Sequence, residues 1–151
     1  MGNLARDHIE HGLGWSWRPA RITGRILDPE SVVIVAASAA KAAGYAVMRF
    51  GPSSAHLDLL CVAPAWRRQG VGTSLVDWLH DSARVAGTFL VHLEVREGNR
   101  EAREFYRAIG YRTLARLPGY YHRREAALRL YRDLAVRRNP PTWVDPWPRD
   151  F

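Results

Sequence analysis

The sequence has few of the features that mark exported or membrane proteins. Only one of its 151 residues is a cysteine, Cys61, so no disulfide can form within the chain, as is usual in the reducing cytoplasm. The longest apolar stretches, 32–40 and 57–65, are too short and too interrupted by polar residues to cross a bilayer. The opening residues, MGNLARDHIEH, carry charges where a secretory signal is apolar. We therefore expect a cytoplasmic protein that does not interact with a membrane.

Lysine is almost absent as well. Lys41 is the only lysine among 22 basic residues, and the rest are arginine. The net charge of +7 permits an acidic partner such as nucleic acid or a polyphosphate cofactor. Because the arginines are scattered along the chain rather than gathered in one run, the pattern argues against a dedicated nucleic-acid binder.

Length and composition predict one folded domain. A chain of 151 residues with 47% hydrophobic residues can bury a single core, and nothing in it requires a second one. After Val136 the segment RRNPPTWVDPWPRDF has four prolines and no hydrophobic period. We expect a domain over 1–136 and an irregular proline- and tryptophan-rich arm over 137–151, which covers a sheet edge or meets a second copy in a homodimer.

Hydrophobic periodicity predicts helices and strands in the order αα, βββ, α, β, α, ββ. The expected segments are a helix at 4–13, a second short helix within 14–27, strands at 31–38, 43–50 and 54–63, a helix at 71–86, a strand at 88–95, a helix capped by Asn99, and strands at 111–117 and 126–134. This order indicates an α/β (α+β) fold with a mixed sheet. The strand at 88–95 follows the helix at 71–86 through short connections, so it should lie parallel to the strand at 54–63. The apolar stripe of that helix is predicted to include Leu75, Trp78 and Leu79.

The turn between the strand at 54–63 and the next helix has the composition of an anion site. Arginine, glutamine and glycine occupy Arg67, Arg68, Gln69, Gly70, Val71 and Gly72, and the helix begins inside this turn. The first turn of a helix has unpaired N–H groups and partial positive charge, and glycine lets a ligand approach the backbone. From the spacing alone, a tight turn with solvated arginines is an equally good interpretation.

Two motifs give this sequence a specific resemblance. Arg67-x-x-Gly70-x-Gly72, after a strand ending VAP, resembles the acyl-coenzyme A signature of the GNAT acetyltransferase superfamily. The run LEVREGNREAREFYRAIGY at 93–111 resembles the RimI-like branch, which acetylates the N-terminus of a ribosomal protein. The resemblance covers about residues 57–134. It implies a mainly antiparallel sheet that splays open between the two parallel strands, with acetyl-coenzyme A in the gap and no metal. The usual first strand of that fold has no counterpart in our segment assignment.

The resemblance also assigns the contacts of the cofactor. The backbone of Cys61 and Val62 would pair with the pantetheine arm. Asn99 would touch the cofactor as well. The pyrophosphate would be held by the turn residues Arg67, Arg68, Gln69, Gly70, Val71, Gly72 and Thr73. Cys61 itself could suggest an acyl-enzyme nucleophile, but a small buried thiol in a strand is the favoured interpretation.

Acetyl transfer to an amine needs a base for the amine and an acid for the leaving thiolate. Strand alternation puts Glu94 on the face opposite Val91, Leu93 and Val95, where a carboxylate is costly without a role or a partner. The resemblance implies that Glu94 is the base, through water, and that Tyr106 protonates the sulfur. The structural alternatives are an ion pair of Glu94 with Arg96 or Arg112 and a packed core tyrosine at 106; His92 is the second candidate for the base.

The acceptor is the least defined part of the prediction. Tyr120 and Tyr121, in the predicted loop between the last two strands, resemble the paired tyrosines that line the peptide groove of N-terminal acetyltransferases, and Trp15 would lie in the other wall. We expect N-acetylation of a protein or peptide N-terminal α-amine. The alternatives are a GNAT enzyme for a small amine, such as an antibiotic, a polyamine or an amino acid, and a non-catalytic acyl-coenzyme A or nucleic-acid binding module.

Overall fold

The structure, a computed structural model, describes residues 19–39 and 41–136. In this part the chain forms three α-helices, a short 3₁₀ turn and six strands: α1 (Pro19–Leu27), β1 (Ser31–Ser38), β2 (Lys41–Phe50), β3 (Ala55–Val62), the 3₁₀ turn (Pro64–Trp66), α2 (Val71–Val85), β4 (Leu90–Arg96), α3 (Arg100–Ala108), β5 (Arg112–Tyr121) and β6 (Glu125–Asp133). The predictions for the helix at 4–13, for Trp15, for a missing first strand and for the arm at 137–151 lie outside the described residues.

The predicted fold class is confirmed. The six strands form one sheet in the order β1-β2-β3-β4-β6-β5, in which β3 and β4 are the parallel pair and the other neighbours are antiparallel. β6 enters between β4 and β5, so the last hairpin folds back against the centre of the sheet. No helix in the ranges 19–39 and 41–136 is long and apolar enough to cross a membrane.

The parallel strands separate soon after they meet. Pairing joins Ala55 to Val91 and His56 to His92, and no further β3–β4 pair follows. On its other side β3 remains paired to β2 as far as Val62. Within the described residues, the edge of β3 from Leu57 onward therefore faces a gap, as the resemblance implied.

The helices cover the two faces of the sheet unequally. α2 and α3 pack on one face over the main core, which includes Leu75, Leu79, Val91 and Leu93. α1 packs on the other face over a smaller cluster of Ile22, Tyr45, Val47, Leu59 and Cys61. These clusters bury apolar surface on both sides, as in other mixed sheets that are enclosed by helices.

A β-bulge in β3 sets which side chains face α1. Val47 pairs with Leu59 and Met48 pairs with Leu57, so Asp58 is the extra residue of the bulge. Leu57 before the bulge packs in the main core with α2, whereas Leu59 after it packs in the cluster with α1. The sequence gives no signal for this change of face, because the run of leucines around Asp58 is apolar on both sides.

Two local predictions were wrong in detail. Trp78 is 54% exposed, because the buried stripe of α2 runs through Leu75, Leu79 and Ala83 and places Trp78 at its flank. The segment 118–121, predicted as a loop, belongs to β5. Pro118 is tolerated in this strand because β5 lies at the edge of the described sheet and because its pairing with β6 is irregular between Leu117 and Tyr121.

Candidate active site

A row of charged side chains crosses the α1-facing side of the sheet at the point where β3 and β4 separate. The strand register places Arg49 beside His56, His56 beside His92, and Glu94 beside Arg129. Four neighbouring strands therefore each contribute to one polar cluster. We call His56, Asp58 and Glu94, with Arg49 and Arg129 at the two ends, the charged row.

His56 lies at the centre of this row between two carboxylates. Its Nε2 is 2.5 Å from Glu94 Oε2, and its Nδ1 is 2.5 Å from Asp58 Oδ1. Arg129 Nε donates to Glu94 Oε1 at 2.9 Å, and Arg49 Nε donates to Asp58 Oδ2 at 2.7 Å. Both nitrogens of the imidazole thus meet acceptors, which is the arrangement of a protonated histidine.

Burial and neighbouring charges shift the pKa values of His56 and Glu94 in opposite directions. Burial alone would lower the pKa of His56, but the hydrogen bonds to Asp58 and Glu94 outweigh it and raise that pKa to about 9. Burial would raise the pKa of Glu94, yet the hydrogen bonds and charges of His56 and Arg129 lower it below its ordinary value. At neutral pH the row therefore holds an imidazolium between two carboxylates.

Glu94 occupies the predicted place but has other partners than those predicted. Its side chain is only 8% exposed, and it pairs with His56 and Arg129 rather than with Arg96 or Arg112. Arg96 instead lies near Glu125, with 3.9 Å between Arg96 Nη1 and Glu125 Oε2. The ion-pair alternative was right that Glu94 has cationic neighbours and wrong about which ones, because alternation within β4 does not reveal the facing strands.

His92, the second candidate for the base, lies beside the row. Its ring meets that of His56 edge-on, with 4.8 Å between centroids. Burial and then the positive charge of His56 lower the pKa of His92, so it is neutral at neutral pH. It does not share the ion pairs of Glu94.

Tyr106 lies on the opposite face of the sheet from Glu94. It is buried in the main core with α2, and its ring packs edge-on against Tyr111 at 5.4 Å between centroids. No hydrogen bond joins its hydroxyl to another residue in the described part of the chain. Burial, and then the charge of Tyr121, raise its pKa, so the hydroxyl stays protonated at neutral pH.

Tyr120 and Tyr121 lie at the end of β5 in the neighbourhood of the row. Their rings pack edge-on at 5.0 Å between centroids, and Tyr120 is 48% exposed. Burial and then the negative charge of Glu94 raise the pKa of Tyr120, and burial, Tyr120 and Glu94 together raise that of Tyr121 to about 12. The pair is thus close enough to Glu94 to share its electrostatic field.

The predicted anion turn leads directly into the N-terminus of α2, where no side-chain cap is formed by Gly70. Gly70 is the residue before α2 and has a φ of 81°, which favours glycine. The first bond of the helix is donated by Ser74 to the Gly70 carbonyl at 2.9 Å, and the first turn contains no acidic residue. Gly72 lies against the Phe105 ring, so a Cβ there would come within 3.4 Å of it. These features fit a diphosphate, because the first turn of a helix has amides without partners inside the helix and carries partial positive charge.

Three of the other predicted cofactor residues make local contacts with the backbone. Arg67 Nε donates to the Val62 carbonyl at 3.1 Å, and Gln69 bonds to the Ala65 carbonyl at 2.9 Å, so both side chains brace the turn itself. The Asn99 side chain accepts from the Ala102 amide at 3.1 Å, which confirms it as the cap of α3. Arg68, Val71 and Thr73 complete the turn between these groups.

Cys61 is buried, and its burial raises the pKa of the thiol to about 12. A thiol that stays protonated is a poor nucleophile, so the side chain has the properties of a packed core residue. Within the described residues, no group of three or more histidine, cysteine or acidic side chains is arranged to hold a metal ion.

Sequence reasoning missed most of the charged row. His56 and Asp58 stand two positions apart in an otherwise apolar strand, and a spacing of two puts ionisable residues on one side of a strand. The segment HLDLL at 56–60 therefore contained a signal for His56 and Asp58. The roles of Arg49 and Arg129 could not be predicted, because they follow only from the pairing of β2 with β3 and of β4 with β6.

Fold and site together fit the class of group-transfer enzymes: the sheet is split between β3 and β4, a glycine-containing turn leads into α2, and a carboxylate–imidazole pair lies where the two strands separate. The Acetyltransferase (GNAT) domain family matches residues 12–119. The chain therefore belongs to the GNAT family of acetyltransferases, which are N-acetyltransferases that depend on acetyl-coenzyme A.

Individual relatives point to the same family. The N-alpha-acetyltransferase RimI of Mycobacterium tuberculosis is 31% identical over 109 residues, 70% of this chain and 67% of that protein. The naa20 catalytic subunit of the N-terminal acetyltransferase B complex of Schizosaccharomyces pombe is 36% identical over 66 residues, 44% of this chain and 37% of that protein. The chain thus spans little more than a third of the length of naa20. The crystal structure of Ard1 from Thermoplasma volcanium superposes with a TM-score of 0.77 at 26% identity, over 89% of this chain and 88% of that one.

Proposed function

We propose that this protein acetylates the N-terminal α-amine of a protein or peptide by direct transfer from acetyl-coenzyme A. The observation that carries the proposal is the Glu94–His56 pair at the mouth of the gap between β3 and β4, with Tyr106 on the opposite face. The names of the RimI and naa20 relatives support the N-terminal amine as the acceptor.

The donor site would be formed by the turn and the edge of β3 from which β4 separates. Amides at the start of α2 would bind the diphosphate, and the backbone of Cys61 and Val62 would pair with the pantetheine arm, because the pairing of β3 with β4 ends at His56. The bound cofactor supplies a thioester whose acetyl group is open to attack by an amine. These roles of the turn and of β3 rest on the residues present and on the resemblance.

The acceptor amine must lose a proton, and the Glu94–His56 pair is the group that takes it. Glu94 alone is a weak base, since His56 and Arg129 lower its pKa. Deprotonation of His56, with its pKa raised to about 9, frees a second basic site beside the carboxylate. We therefore expect turnover to increase with pH toward about 9.

Tyr106 would act as the acid. When the new N–C bond forms and the C–S bond breaks, its hydroxyl donates a proton toward the leaving sulfur, and the proton of the amine goes to the Glu94–His56 pair. Because the pKa of Tyr106 is raised, its hydroxyl remains protonated until negative charge develops on the leaving sulfur. No acyl group passes through Cys61, whose thiol stays protonated.

The test is release of free coenzyme A from acetyl-coenzyme A in the presence of a panel of acceptors. The panel contains peptides with different N-termini, the same peptides with blocked N-termini, and small amines such as polyamines, amino acids and aminoglycosides. Turnover that depends on a free peptide N-terminus is expected. Turnover with the small amines alone would overturn the proposal and assign the protein to the small-amine class.

A further inference from the structure

We propose that Asp58 is a positioning residue for acetyl transfer, which fixes both the ring orientation and the positive charge of His56 and so sets the pH range in which the Glu94–His56 pair works. The inference rests on the proposed function. Asp58 would touch neither the amine nor the cofactor and would act only through His56.

The contacts of Asp58 leave it no freedom to turn away. Its side chain is only 4% exposed, and both carboxylate oxygens are engaged. Oδ1 meets His56 Nδ1, whereas Oδ2 accepts from Arg49 Nε and lies 3.5 Å from Arg25 Nε. Two guanidinium groups, from β2 and α1, therefore hold the carboxylate against the imidazole.

The bulge of β3 makes this contact possible. Asp58 is the extra residue that the ladder with β2 leaves out, between the pairs of Leu57 and of Leu59. A bulge re-aims the side chains around it. His56, two residues earlier, pairs across to both Arg49 and His92, so the bulge directs the carboxylate to the middle of the charged row.

The groups around His56 carry opposing charges, and among the described residues two carboxylates and one guanidinium lie within 3.5 Å of its nitrogens. Asp58 and Glu94 accept from the ring, whereas Arg49 Nη2 lies 3.5 Å from Nδ1 and opposes a proton there. Within the described residues, the other titratable or charged groups near this part of the row come from several elements: Arg25 and Asp28 from α1 and the turn after it, His92 from β4, Tyr120 and Tyr121 from β5, and Arg129 from β6. Without the charge of Asp58, Arg49 would dominate at Nδ1 and favour the neutral ring.

The substitution Asp58→Asn separates charge from shape. Asparagine keeps the size of the side chain and an oxygen that can accept from Nδ1, but it removes the negative charge. We expect the rising limb of the kcat–pH profile, with its midpoint near pH 9 in the parent protein, to shift down by about one to two pH units in the variant. The substrate amine titrates equally in both proteins, so its own titration cancels in the comparison.

A second measurement does not depend on turnover. The titration midpoint of His56, followed by NMR of the labelled imidazole in the cofactor-free protein, should fall by the same amount. An unchanged midpoint and an unchanged limb would overturn the proposal, whatever the effect on rate. If the parent protein acetylated no acceptor, the proposed function would fail while this titration still tested the role of Asp58.

Two further variants exclude a general effect of damage to the fold. Arg49→Gln leaves the carboxylate and removes the cation beside Nδ1, so the titration midpoint of His56 should rise, opposite to the change in Asp58→Asn. Asp81→Asn removes an exposed carboxylate of α2 that pairs only with Arg84 within the described residues, and it should shift neither readout. A downward shift of the same size in all three variants would contradict a specific role for Asp58, and the Arg49→Gln result stands even if Asp58→Asn does not fold.

Discussion

The charge on His56 makes the stability of the fold depend on pH, and one substitution isolates the effect. In the folded protein the pKa of His56 is raised to about 9 from an ordinary value of 6.5. A raised pKa means that the bound proton stabilises the fold fully below about pH 6.5. This contribution is lost as the pH rises through about 9.

The two pKa values set the size of the effect. Linkage gives a contribution of about 2.5 kcal/mol to the free energy of unfolding at pH 7 and almost none at pH 10. The side chain is 22% exposed, so solvent screening reduces this figure only modestly. For a chain of this length the contribution corresponds to a difference of about 5–10 °C in Tm.

The assay compares urea unfolding of the parent protein and of His56→Gln at pH 7 and pH 10, followed by tryptophan fluorescence. Other groups that titrate between these pH values are common to both proteins and cancel in the difference. From pH 7 to pH 10, the free energy of unfolding of the parent protein should fall by about 2.5 kcal/mol more than that of the variant. His122→Asn is the matched control, because His122 is exposed and its φ of 50° suits asparagine. Equal losses in the parent and in His56→Gln would refute the reasoning.

Three further predictions concern the acid, the core and a helix cap. Tyr106→Phe should lower kcat by about 10²-fold or more while isothermal titration shows nearly unchanged acetyl-coenzyme A affinity, and a parent rate would remove Tyr106 from the acid role. Gly44→Ala would place a Cβ 2.7 Å from the Cys61 carbonyl oxygen, so urea unfolding should show a loss of about 1–3 kcal/mol; an unchanged midpoint would contradict that contact. Asn99→Ala removes the acceptor of the Ala102 amide and should cost about 1 kcal/mol in thermal unfolding, whereas Asn99→Asp should retain stability.

Local sequence patterns predicted the elements because their signals are local. The alternation of LVHLEV placed Val91, Leu93 and Val95 on the core face and Glu94 on the other, as observed. The cap at Asn99 follows from the same kind of short-range pattern. The parallel pair also followed, because it depends on a strand–helix–strand order that can be read along the chain, whereas the GNAT fold followed from the resemblance of the two motifs.

The charged row could not be predicted because it depends on pairing between distant strands. His56 and Glu94 are 38 positions apart, and Glu94 and Arg129 are 35 apart. Their contact requires that β6 enters between β4 and β5 and that β3 and β4 meet only at their first residues. The bulge that presents Asp58 likewise arises from the register with β2.

The position of the transferred acetyl group tests the central claim most directly. A peptide with a free N-terminus and an internal lysine is incubated with the enzyme and acetyl-coenzyme A, and tandem mass spectrometry locates the label. We expect acetylation of the α-amine, and we expect this product to be lost in Tyr106→Phe and in a Glu94→Gln variant. Acetylation of the lysine side chain, with the α-amine left free, would contradict it.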